Sequence, residues 1–144
     1  MKKIIFLLIM LPFSIVCWAQ IISAEDRNEI LNLLEKQRTA WNNGDLHGYM
    51  QGYWQSDSLR FVTKSGITYG WNETLARYKN AYPTKEAMGN LVFEVLSLEK
   101  LAECNALMIG RWNLSVKEKI VSGSFSLIFR KIGAKWLIVV DHSS

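Results

Sequence analysis

Residues 90–142 read NLVFEVLSLEKLAECNALMIGRWNLSVKEKIVSGSFSLIFRKIGAKWLIVVDH, and this stretch decides the fold. It divides into four long segments rich in Val, Ile, Leu, Phe and Trp, at 90–100, 103–115, 120–131 and 135–142, joined by short turns carrying Gly, Lys or Glu. Four such segments in a row predict an antiparallel meander. Strand alternation sorts their side chains into two faces. In the second segment Asn105, Leu107, Ile109, Arg111 and Asn113 share one face, and Cys104, Ala106, Met108, Gly110 and Trp112 the other. In the last, Trp136, Ile138, Val140 and His142 oppose Leu137, Val139 and Asp141. The alternation leaves open which set faces inward.

Upstream, the period changes from two to about 3.6. Ser23 with Glu25 and Asp26 reads as an N-cap and acidic first turn, followed by Ile30, Leu33, Leu34, Ala40 and Trp41 at helical spacing, ending at Asn43-Gly44. Asp45 caps a shorter helix with Leu46, Tyr49, Met50, Tyr53 and Trp54 on its apolar side. A hairpin over 59–69 turns at Lys64-Ser65-Gly66. A third helix, capped at Asn72, carries Leu75, Tyr78 and Tyr82 on one face and is closed by Pro83. Helices first and strands after predict an α+β domain, its helices on one face of a curved sheet.

Residues 1–19 read as a secretory signal peptide: Lys2 and Lys3, an apolar run over 4–16, and Cys17-Trp18-Ala19 as the cleavage site. Export to the periplasm or the medium is expected, with no membrane anchor after cleavage, leaving 20–144 as one domain. Cleavage removes two of the 17 basic residues, so 15 stand against 13 acidic ones, a balance that gives no nucleic-acid signature. Cys104 is then the sole thiol, expected as a buried small hydrophobe in its strand. Neither a phosphate loop, a Gly-x-Ser-x-Gly elbow nor a paired-cysteine motif is present, and His47 and His142 lie far apart, so neither metal nor cofactor is expected.

Arg111 is the most suggestive charge. A guanidinium in mid-strand needs a partner, which is either a ligand carboxylate or phosphate or a strand glutamate such as Glu94. His142 is the candidate pocket-rim group or general base, with Asp57 as a carboxylate alternative. Neighbours in a strand point to opposite faces, so Asp141 does not orient His142. Tyr53, Trp54, Trp71, Tyr78, Tyr82, Trp112 and Trp136 provide rings for the wall of an apolar cavity, or simply for a core.

The segments AWNNGDLHGYMQGYW (40–54), FVTKSGITYGW (61–71), YKNAYPTKEAMGNLVFEVLSL (78–98), GRWNLS (110–115) and GSFSLIFRKIGAKWLIVVDHSS (123–144) closely resemble the SnoaL-like, nuclear-transport-factor-2-like superfamily, in its domain of unknown function 4440 branch. The resemblance implies a cone of three helices wrapped by a strongly bent antiparallel sheet of about six strands, with a pocket inside and a homodimer formed through the sheet. It marks Tyr53, Trp54, Trp71, Tyr78, Arg111 and His142 as ligand-binding candidates. Measured against ketosteroid isomerase, whose site needs a tyrosine and two aspartates, the chain places Gln37, Phe61 and Ser126 in those positions, so that activity is not expected. The expectation is a pocket for a small, partly apolar molecule, anionic where it meets Arg111. Against it stand an isomerase, lyase or hydrolase using His142 or a carboxylate as base, and a dimerisation module without ligand.

Overall fold

Chain direction and hydrogen-bond register place the last strand at the middle of the sheet. The computed structural model describes residues 21–144; the signal-peptide reading of 1–19 lies outside them. The strands are β1 (Arg60–Thr63), β2 (Gly66–Tyr69), β3 (Asn90–Ala102), β4 (Asn105–Val116), β5 (Lys119–Ile132) and β6 (Lys135–Ser143), in sheet order β2-β1-β6-β5-β4-β3. The meander β3 to β6 is antiparallel as expected. The hairpin, however, joins β6 through a parallel β1 pairing, Phe61 opposite Asp141, so the six-stranded sheet is mixed.

Among the described residues four helices accompany it: α1 (Ala24–Asn42), α2 (Leu46–Met50), α3 (Trp71–Ala81) and the short α4 (Lys85–Met88), one more than expected. Ser23 caps α1 by accepting from the Asp26 amide, Asp45 caps α2 from Gly48, and Thr84 caps the added helix from Ala87. The third helix starts one turn-position early, at Gly70 rather than at Asn72. The second helix stops at Met50 because the chain beyond it is captured by the sheet. The Gly52 carbonyl accepts from the Ile138 amide at 2.9 Å and the Trp54 amide donates to the Ile138 carbonyl at 2.9 Å, which makes Tyr53 a strand-like neighbour of β6.

α1 lies on the sheet through Ile30, Leu34, Gln37 and Trp41, all buried and spaced four, three and four apart. Indole N–H groups fasten the helical layer. Trp41 donates to the Met88 carbonyl at 2.9 Å and Trp71 to the Met50 carbonyl at 2.8 Å. Asn42 extends the ladder of β3, donating to the Leu91 carbonyl at 3.0 Å and accepting its amide at 2.7 Å. Cys104 is exposed in the β3–β4 turn rather than buried in a strand, because the strand begins only at Asn105.

At the other end of α1, Asp26 is a buried carboxylate tied to the sheet. It accepts from Lys131 Nζ and Trp136 Nε1, each at 2.8 Å, with Lys100 3.9 Å away. The Lys131 and Trp136 hydrogen bonds outweigh desolvation and hold its pKa down at about 2, against an ordinary 3.8. A depressed carboxylate stabilises the fold above its unfolded value, and that contribution disappears as the pH falls through the folded one. We therefore expect Asp26→Asn to lower unfolding stability by about 2 kcal/mol at pH 7. The difference from wild type should shrink as urea titrations are taken from pH 4 towards pH 2; an equal difference across that range would refute the assignment.

Candidate functional site

Between the helical layer and the sheet the core does not close. A cavity of about 410 Å³ remains, lined at its inner end by buried side chains such as Leu34, Tyr49, Tyr53, Phe125 and Asp141, and at its mouth by exposed ones, Lys64, Ser65, Arg77 and Ser122. That volume falls within the ordinary range for small-molecule sites. Nine aromatic residues stand in the wall, and several meet edge to face, among them Trp41 and Tyr82 at 4.8 Å and Tyr49 and Tyr78 at 5.4 Å between centroids. Two glycines leave space for the sheet's own rings. A Cβ at Gly110 would strike the Phe125 ring and the Glu94 carbonyl, and one at Gly123 would strike the Ser144 carbonyl and the Trp112 indole.

The cavity has one carboxyl group at its inner end. Asp141 is 3% exposed, and its Oδ2 accepts from the Tyr53 hydroxyl at 2.6 Å while Oδ1 accepts from Ser143 Oγ at 2.7 Å. With the Tyr53 proton committed to Asp141, the Tyr49 hydroxyl 3.4 Å away donates to Tyr53. Burial pushes the Asp141 carboxyl above its usual range, opposed by the Tyr53 and Ser143 hydrogen bonds. Burial, reinforced by the Asp141 charge, also raises Tyr49 and Tyr53, and burial with Tyr49 raises Tyr78. All three remain neutral phenols at physiological pH, able to donate.

Of the six sequence candidates, Tyr53 and Tyr78 line the cavity. Trp71 is buried elsewhere, its N–H on Met50 and its ring edge against His47. Trp54 is half-buried beside Ile138 and forms no part of the lining. Arg111 lies on the outer face of the sheet, its side chain 57% exposed, 3.4 Å from Glu94. The glutamate alternative thus accounts for it. His142 is exposed and paired across the sheet with Ser126, also off the cavity.

The reversal of His142 and Asp141 has a local cause. Ile138 pairs with Phe129 and Val140 with Ile128, so Val139 is an extra residue in β6. A bulge shifts the alternation by one. Asp141 therefore joins Trp136 and Ile138 on the buried face. Gln37 and Phe61 both line the cavity, whereas Ser126 lies opposite His142 in the ladder. Asp57 is exposed. Among the described residues no three His, Cys, Asp or Glu side chains gather as a metal site, and no helix is long and apolar enough to cross a membrane.

A solved structure from Shewanella oneidensis, an NTF-2-like protein of unknown function, is 42% identical over 82% of this chain and 98% of its own, with a TM-score of 0.80. The chain belongs to the NTF2-like family. A cystatin-like-fold domain of unknown function from Nostoc punctiforme shares the fold at 19% identity, covering 85% of this chain and 78% of its own, with a TM-score of 0.73. So does a ketosteroid isomerase-like protein from Erwinia carotovora, at 13% identity, 85% and 97% coverage and a TM-score of 0.66. No family model and no curated protein matches, so the narrower domain of unknown function 4440 branch rests on the quoted segments alone. The cone expected from the sequence agrees with these cystatin-like neighbours.

Two substitutions separate the NTF2-like cavity from its outer face. Arg111→Met should change stability by no more than about 0.5 kcal/mol, since exposed ion pairs contribute little. Tyr53→Phe should lower it by about 1–3 kcal/mol through the lost hydrogen bond to a buried carboxylate. Urea unfolding of both variants at pH 7 checks the pair; the opposite ranking would place the working charge outside the cavity.

Proposed function

We propose that this protein is an exported binding protein whose cavity holds a small, partly apolar molecule. The observation that carries the reading is the unfilled space itself: about 410 Å³ is left open within a wall of tryptophan, tyrosine and phenylalanine side chains that had the bulk to close it. A flat apolar body fits such walls, and the buried Asp141 with its phenols supplies the few polar groups that fix orientation. The signal-like residues 1–19 support the exported part of the reading. A second copy on the outer face of the sheet belongs to the same proposal, since Val92 is exposed there and Ile109 and Ile128 are only half-buried.

Catalysis is the second reading, and one observation favours it in a changed form. His142 and Asp57 lie outside the cavity, but Asp141 is a desolvated carboxyl inside it, the kind of group used in proton transfer.

Native mass spectrometry of protein purified gently from its own host tests the binding reading. A co-purifying small molecule is expected in wild type, retained in Arg111→Met, and lost in Leu114→Trp, which drives an indole into the cavity wall. Circular dichroism should show both variants folded. A wild-type protein that emerges empty would remove tight binding and leave a transient substrate or a structural role.

A further inference from the structure

The two ends of the cavity differ in charge. At the inner end Asp141 is without a cationic partner among the described residues, because no Lys, Arg or His nitrogen lies within 4.0 Å of its carboxylate. Each of its oxygens accepts one protein hydrogen bond, from Tyr53 and from Ser143. An ionised carboxylate offers about four acceptor sites. Acceptor capacity on a cavity-lining group is therefore left for a donor that comes from the ligand.

At the mouth stand Arg77 and Lys64, both exposed and neither paired with a carboxylate among the described residues. Arg77 is nevertheless held in place. Its Nη2 donates to Thr63 Oγ1 at 3.2 Å and to Ser65 Oγ at 3.0 Å, and its guanidinium lies 5.6 Å from the centre of the Phe61 ring. Phe61 is the register partner of Asp141 on the adjacent parallel strand. One aromatic residue thus joins the acid to the guanidinium: its backbone stands beside the first and its ring beneath the second.

We propose that the ligand is a flat ring acid bearing a hydroxyl at the end opposite its acid group. The hydroxyl leads and donates to Asp141; the carboxylate trails and sits between Arg77 and Lys64; the rings of Phe61, Tyr78 and Tyr82, packed against one another, line the space that the body takes. The inference rests on the binding reading above and adds the ligand's chemistry and direction. Charge sets the direction. An anion at the inner end would face Asp141 in a region stripped of water, where repulsion is weakly screened. An ammonium at the inner end would suit Asp141 but would have to shed its hydration and pass two cations, whereas a hydroxyl is neutral and loses less on burial. The anionic group expected from the sequence is retained, with its anchor moved from Arg111 to Arg77.

Isothermal titration calorimetry with three probes of one shape tests this: 6-hydroxy-2-naphthoic acid, 2-naphthoic acid lacking the hydroxyl, and 2-naphthol lacking the acid. Wild type should bind the first at least about tenfold more tightly than either of the others, the free-energy equivalent of one good polar contact. Asp141→Asn should abolish the advantage of the hydroxyl and leave 2-naphthoic acid unchanged. Arg77→Gln combined with Lys64→Gln should abolish the advantage of the carboxylate and leave 2-naphthol unchanged. The probe comparison on wild type stands even if Asp141→Asn fails to fold. Equal affinities for all three would overturn the two-ended ligand while sparing the apolar cavity. Tightest binding by 6-amino-2-naphthoic acid at a pH where its amine is protonated would replace the hydroxyl with a cation. No binding by any probe would overturn the two-ended ring acid, and the native mass spectrum of the wild-type protein then decides the binding reading by itself.

Discussion

One unpaired residue in the last strand sets the character of the interior. Val139 has no partner on β5, and the phase of β6 shifts at that point. On the opposite edge of β6 the same region changes neighbours, from the Tyr53 segment at Ile138 to β1 at Val140. The bulge and the change of partner together bring a carboxylate and a phenol within 2.6 Å. Without the extra residue, strict alternation would turn Asp141 to the outer face and His142 inward. A protein with an imidazole and no acid in its cavity would have different chemistry on the same backbone.

The rest of the fold holds this arrangement open. α1 is fixed at both ends, by Asp26 on Lys131 and Trp136 and by Asn42 on Leu91. A helix anchored at its ends can span a space that its middle does not fill. Gln37, in that middle, gives its amide to the Tyr49 carbonyl at 3.0 Å and so holds α2, with the ring of Tyr49, at the cavity wall. The Trp41 and Trp71 donors bond backbone carbonyls, so these large rings are oriented by direction as well as by packing.

Much of this was legible in the residues. Period-two segments gave the meander, caps at Ser23 and Asp45 gave the first helices, and the quoted segments gave the family. What alternation could not give was phase. It had sorted Arg111 from Gly110 and His142 from Asp141 correctly as pairs on opposite faces, but an inward-facing Gly110 carries no chemistry to attract notice, and a bulge leaves no mark in a run such as Leu137-Ile138-Val139-Val140. Asp141 stands beside His142 in the sequence and has no other neighbour there to mark it as a cavity group. Arg77 and Lys64 looked like ordinary solvent-facing charges, and they are; only the tertiary placement of the hairpin turn beside α3 brings them to a cavity mouth. Cys104 was misplaced because Glu103-Cys104 gives no Gly or Pro signal for the turn it makes.

Gly110 and Gly123 have a consequence of another kind. Each lies beneath an aromatic ring of the sheet, and a Cβ at either would also strike backbone, the Glu94 carbonyl at Gly110 and the Ser144 carbonyl at Gly123. The capacity of the site is therefore set in part by two missing side chains, since no larger residue fits at either position without displacing backbone as well as a ring.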